Sequence, residues 1–224
     1  MFTEKYNILV EKDHVNDILL VLYGLLIVIN VISRSTLPID DMAIKLAWLL
    51  SGMLFIISIL IVKHTKLEYT WLLIGGFIGI ENYCKTGQFD FLLIILVMFA
   101  LSEVDIKKFL YVLLFTTISC LIVLMFLSKI GIISNLIFYR GFQERNSFGT
   151  HYPLVLSGYI FECCAAAAIL YGKKQPYLLS IIFILVIMWM DKFVNSRNDE
   201  LCILLLIAAI FINKVSIRFL KLIS

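Results

Sequence analysis

The sequence predicts an all-α fold, a polytopic integral membrane bundle of about eight helices. Three observations carry that expectation. Of 224 residues, 62% are apolar and 16% charged, whereas a water-soluble domain of this size carries more charge and interrupts its apolar runs. The mean hydropathy is +1.00. Apolar segments also recur along the whole chain, separated by short polar links. A span needs about 20 such residues, so roughly seven to nine fit in this length. The net charge of +3 decides little, because basic residues act through their distribution.

The chain reads as one helical domain over residues 1–224. Residues 1–14 are a polar leader, not a secretory signal, because Glu4, Lys5, Glu11, Lys12 and Asp13 interrupt any apolar core. The first span runs from about Val15 to Ser33 and leaves the hydrocarbon at Arg34. Pro38, Asp40 and Asp41 link it to a second span, Met42 to Val62, which ends in Lys63-His64-Thr65-Lys66. A third, Leu67 to Tyr83, carries Gly75, Gly76 and Gly79, spaced to let a neighbouring helix approach closely. The fourth, Phe91 to Ser102, is short for a crossing, so one span of the eight is a candidate re-entrant segment. The fifth covers Phe109 to Leu127, and residues 130–138 continue it as an interfacial stretch. The sixth runs from Pro153 to Tyr171, with a small face at Ala165 to Ala168, and the seventh from Tyr177 to Met190. The eighth covers Leu201 to Ile212, before a basic tail with Lys214, Arg218 and Lys221.

Basic residues set the orientation. With eight spans and a cytoplasmic N-terminus, the cytoplasmic segments hold eleven Lys and Arg: two in the leader, two in each of three loops, and three in the tail. The other side holds eight. Both termini are then expected in the cytoplasm. Separating the residue types is more informative. Ten of the fourteen lysines fall on the cytoplasmic side, but four of the five arginines (Arg34, Arg140, Arg145, Arg197) fall on the outer one. Positive-inside sorting treats Lys and Arg alike, so it does not account for this split. Arginine is the better grip on phosphate or carboxylate in a partly dry site, through two parallel hydrogen bonds.

Most of the chemistry lies in the outer polar loop, residues 129–152. Arg140 and Arg145 flank a Gly-x-x-Glu turn, Gly149 frees the backbone, and Pro153 suits a first helical turn. Either these arginines hold an anionic ligand, or they anchor helix ends among headgroups. His151, at the rim of the sixth span, is a proton carrier or an interfacial aromatic. Glu162 falls midway along that span, where a carboxyl must face the bundle interior. The outer polar turn, residues 191–200, contains Asn195-Ser196-Arg197-Asn198-Asp199-Glu200. Ser196 or Asn195 suits a helix cap, and Asp199 and Glu200 suit a first turn. Arg197 is the exception, a cation at a helix N-terminus that needs a negative partner.

Other chemistry is missing from the sequence. The five cysteines have no metal-ligand spacing, and the adjacent Cys163 and Cys164 read as small packing residues. His14 and His64 read as ordinary surface residues. No Walker loop, HExxH, dinucleotide fingerprint, GxSxG or Asp-x-Asp pair occurs. No metal, cofactor or nucleic-acid partner is expected.

The segment Arg145-Asn146-Ser147-Phe148-Gly149-Thr150-His151-Tyr152-Pro153, running into a span that ends Tyr-Gly-Lys-Lys, resembles the loop-and-helix signature of Wzy-type polysaccharide polymerases. These belong with the O-antigen polymerases and ligases, here in the style of Gram-positive capsule and exopolysaccharide clusters. Ser196-Arg197, opening a Leu/Ile-rich helix, resembles the second hallmark of that family, and together the two cover residues 140–212. The resemblance implies transfer of a growing glycan between undecaprenyl-pyrophosphate carriers at the outer leaflet of the bacterial cytoplasmic membrane. Flippase and chain-length regulator proteins are the implied partners, besides membrane lipids. Arg145 and Arg197 are the implied catalytic residues, joined by His151 or Glu162 as base; Asn146 and Ser196, within the two motifs, and Arg140, from its proximity, are the candidate substrate contacts. Family members continue into further spans and a second outer loop, so a truncated member is expected. The competing expectation is a non-catalytic transport or assembly subunit, or an inactive polymerase fragment.

Overall fold

The computed structural model describes the backbone of residues 2–38, 40–61, 64–86, 90–102 and 104–223. The side chains of 1–14 and 213–224 lie outside the described residues, and with them the polar character of the leader, His14, and the basic tail. So do Asp40, Asp41 and Lys63. Among the described residues there are eight helices and one short hairpin: α1 (Phe2–Ser33), α2 (Asp40–Ile61), α3 (Lys66–Thr86), α4 (Asp90–Ala100), α5 (Ile106–Lys129), β1 (Ile137–Arg140), β2 (Gln143–Asn146), α6 (Pro153–Tyr171), α7 (Pro176–Phe193) and α8 (Arg197–Ile223).

Four of these elements are long and apolar enough to cross a membrane: Val15–Ser33 within α1, then α5, α6 and α7. Shorter apolar stretches are Lys45–Ser58 and Phe91–Ala100. With a rise of about 1.5 Å per residue, the 11 residues of α4 reach only about half the ~30 Å hydrocarbon thickness. α4 instead packs along α3. Two of the three glycines make that approach possible, since a Cβ at Gly75 would meet Ile95 at 2.8 Å and one at Gly79 would meet Leu92 at 3.1 Å.

The chain forms two compact units, residues 1–30 with 41–109, and residues 31–40 with 110–224. In the first unit, Leu19, Leu20, Tyr23 and Ile27 of α1 are buried with Leu54 of α2 and Phe99 of α4, and Tyr23 stacks on Phe109 with ring centroids 4.7 Å apart. His64 corrects the expectation of a surface residue, because its side chain is wholly buried. Its ring lies on Phe99 with centroids 4.0 Å apart, and Nε2 is 2.9 Å from Ser58 Oγ. Nδ1 faces Ser102 Oγ at 3.4 Å and Glu68 Oε2 at 3.5 Å. An imidazole buried among apolar rings stays because both nitrogens face polar atoms. Thr65 and Glu68 form a capping box beside it: Thr65 N–H donates to Glu68 Oε2 at 2.7 Å, and Glu68 N–H to Thr65 Oγ1 at 3.3 Å. These contacts gather the end of α2, the start of α3 and the end of α4.

In the second unit, α6, α7 and α8 pack against one another. Their core holds Cys164, Leu179, Phe183, Met190, Ile203 and Ile210, with Ala167 and Ala168 of the small face against it. Cys163 and Cys164 are both buried free thiols. Pro153 and Pro176 each sit at a helix start, where the missing N–H costs nothing.

Candidate functional site

The polar end of the second unit is assembled from three segments distant in sequence. The expected interfacial stretch and polar loop fold into an antiparallel hairpin, β1 with β2, pairing Phe138 with Arg145 and Arg140 with Gln143. Gly141 at φ 64° opens its two-residue turn, a backbone that glycine adopts without strain. Strand alternation then turns Phe138 and Arg145 to one face. Phe138 meets Tyr152 edge-on at 4.6 Å, and Arg145 is buried at 6% exposure.

Arg145 Nε donates to the carbonyl of Val194 at 2.9 Å, and its guanidinium carbon lies 5.8 Å from the Tyr152 ring centroid. Its Nη2 is buried with no hydrogen-bond partner. Next to Val194, Asn195 takes a left-handed φ of 52°, a conformation that asparagine tolerates better than most residues. Asn195 Nδ2 donates to Gln143 Oε1, while its Oδ1 is buried without a partner. The hairpin is thus pinned to the α7–α8 corner at two places.

The corner is itself held by carboxylates. Asp199 Oδ2 accepts from the hydroxyls of Ser157 on α6 and of Ser196, the latter at 2.6 Å. Glu200 Oε1 accepts from Ser196 N–H at 3.1 Å. Burial raises the Glu200 carboxyl above the usual carboxylate range, the charge of Asp191 adds to this, and the Ser196 bond and Arg197 oppose it. Arg197, the first residue of α8, is exposed.

The exit of α1 joins the same end. Ser35 bridges Thr150, Thr36 N–H donates to Gly149 O at 2.8 Å, and His151 N–H donates to Arg34 O at 2.9 Å. Gly149, at φ 88°, leaves space that a Cβ would lose to Ile133 at 2.5 Å.

The residues singled out in the sequence therefore divide. Arg34, Arg140, Arg197 and His151 are exposed, and Arg145 and Ser196 are buried. Asn146 Oδ1 is occupied by Asn135 Nδ2 at 2.9 Å. Glu162 is half-buried on α6, about 7–8 Å deeper than Ser157 by helical rise. Sequence reasoning missed Ser157, Gln143 and Asn135. Asn195 was readable only as a cap, although Asn before Ser-Arg is also a signal for a left-handed corner.

Beneath this end, Phe148 packs on Trp189 at 5.4 Å, and Leu121, Leu156 and Val194 form an apolar cluster. An apolar groove of about 380 Å³ continues from it between α5, α6 and α7, lined by Leu121, Met125, Ile160 and Trp189 among others. Among the described residues, no three His, Cys, Asp or Glu side chains are grouped to share a metal ion. No protein-family model, curated protein or solved structure matches the chain.

Proposed function

We propose that this chain is a multi-pass protein of the bacterial cytoplasmic membrane, with both termini cytoplasmic, and that it polymerises undecaprenyl-pyrophosphate-linked repeat units. The observation that carries the reading is the convergence of Arg34, Arg140, Arg145 and Arg197, from three separate segments, at one end of one unit. Alternate crossing requires that convergence, since the exits of spans one, five and seven then share a side.

In the proposed transfer, a hydroxyl of the acceptor sugar forms the new bond to the donor's anomeric carbon. The bond from that carbon to the pyrophosphate oxygen breaks, and the leaving group keeps the electron pair. Exposed Arg197 and Arg140 stabilise the charge that develops there. His151 or Glu162 takes the hydroxyl proton. The groove beneath supplies an apolar bed for part of the prenyl chain. A second reading, a non-catalytic subunit of a polysaccharide export system, is favoured by the internal bonds of Arg145, Asn146 and Ser196.

Glycan length in a polymerase-deleted strain separates the two. Expression of this chain restores high-molecular-weight polymer if it is the enzyme, and Arg197→Lys lowers the yield roughly tenfold or more. Single repeat units from the parent chain, at normal protein level, would reject the enzymatic reading.

A further inference from the structure

The hairpin's outer side carries exposed apolar residues beside Glu144 and Asn146, with the Tyr139 hydroxyl donating to Glu144 Oε1 at 3.3 Å. Its inner side is fully used: Phe138 against Tyr152, Arg145 on Val194, Gln143 on Asn195. The opposite side presents Ile137 and Tyr139, and Phe142 at the turn is fully exposed. Ile130 and Ile132, between the end of α5 and the hairpin, are exposed as well. Five large apolar side chains within thirteen residues exceed what a surface keeps in water without a partner. A two-stranded hairpin is also marginal alone, so leaving this side in water would weaken an element already short of support.

Its place in the chain indicates what covers it. The segment starts at Lys129, the last residue of the apolar helix α5, and ends shortly before α6 begins at Pro153. Both helices are long enough to span, so the hairpin is tethered twice to one bilayer surface. Lys129 precedes the apolar residues and Arg140 stands between Tyr139 and Phe142; both are exposed and long enough to reach lipid phosphates while Tyr139 occupies the headgroup layer. We infer that the hairpin docks onto the membrane, with Phe142, Tyr139 and Ile132 inserted at the boundary between headgroups and acyl chains. The inference rests on the reading of α5 and α6 as spans. The insertion fixes the height of β2, and so of Arg145, relative to the lipid phosphates.

Photo-crosslinking tests this in the full-length protein within native membranes. The benzophenone amino acid p-benzoylphenylalanine is placed at Phe142 and, in a separate variant, at Ile122, an exposed position on α5. Phospholipid-mass adducts at both positions are expected. A lipid adduct at Ile122, with a protein adduct or none at Phe142, overturns the docking while leaving the spans intact. No lipid adduct at Ile122 overturns the spanning reading, and the docking with it.

Discussion

The guanidinium of Arg145 is tied through Nε to the carbonyl oxygen of Val194, 49 residues away in sequence. A strand in one polar segment is thereby fixed to a helix corner in another. Because Arg145 is buried and Arg197 exposed, the two arginines do different physical work.

Replacing each by lysine separates that work. Arg145→Lys removes the Nε–H donor, and a flexible ammonium does not reproduce the planar fork. The expected loss is about 1.5–3 kcal/mol, the range of a hydrogen bond to a charged group, read as a lower midpoint of unfolding in detergent. Arg197→Lys leaves that midpoint unchanged. Equal midpoints for both variants would count against the pinning role of Arg145.

Asp199 joins α6 to the start of α8 by accepting from two hydroxyls. Asp199→Ala strands the Ser196 hydroxyl and leaves that of Ser157 with only the Leu154 carbonyl at 3.1 Å, and is expected to destabilise the protein by about 1–3 kcal/mol. Ser157→Ala removes one donor and costs about 0.5–1.5 kcal/mol. Thermal unfolding of the two variants gives the ranking, and the reverse order would show that Ser157, not the carboxylate, organises the corner.

Gly149→Ala tests the joint between the α1 exit and the polar loop. The new Cβ meets Ile133 at 2.5 Å and the Leu124 carbonyl oxygen at 3.2 Å, at a φ of 88°. A loss of about 1–3 kcal/mol is expected from the backbone conformation alone. A midpoint equal to that of the parent would mean this segment contributes nothing to stability.

Glu200 gives stability a dependence on pH. Its carboxyl is raised by burial and then by Asp191, so the folded protein holds the proton more tightly than the unfolded chain does. That contribution is complete below the ordinary carboxylate value near 4.3. It is lost as pH rises through the raised folded value. Glu200→Gln keeps an oxygen for Ser196 N–H and removes the titration. Relative to the parent, the variant gains stability as pH rises above the ordinary carboxylate value, and parallel melting curves would reject the coupling.

Composition made the helices legible, because long apolar runs mark them without reference to any specific partner. Pro153 was readable as a helix start for the same local reason. The hairpin was not. Its four-residue strands mix Arg, Gln, Glu and Asn with aromatics, and the determining partners, Tyr152 and Val194, come from elsewhere in the sequence. His64 was missed because its burial depends on Phe99, 35 residues on, although Thr65-Lys66-Leu67-Glu68 carried a local capping-box signal beside it. The gathering of Arg34, Arg145 and Arg197 at one end depends on contacts between segments distant in sequence. Which of them is buried depends on strand register, and no composition encodes that.

The bridge between Ser35 and Thr150 imposes an order on synthesis. Thr36 bonds to Gly149, 113 positions later, so residues 34–36 emerge from the ribosome long before their partner strand exists. At about 5–20 residues per second, that interval lasts roughly 6–20 s. During it the N-terminal helix can form, but the residues at its exit have nothing to pair with. Assembly of the arginine-bearing end is therefore a late, long-range event, slow in the way that distant pairings are. A chain interrupted before Thr150 would carry its first five helices and the hairpin, but not the α7–α8 corner to which Arg145 is pinned.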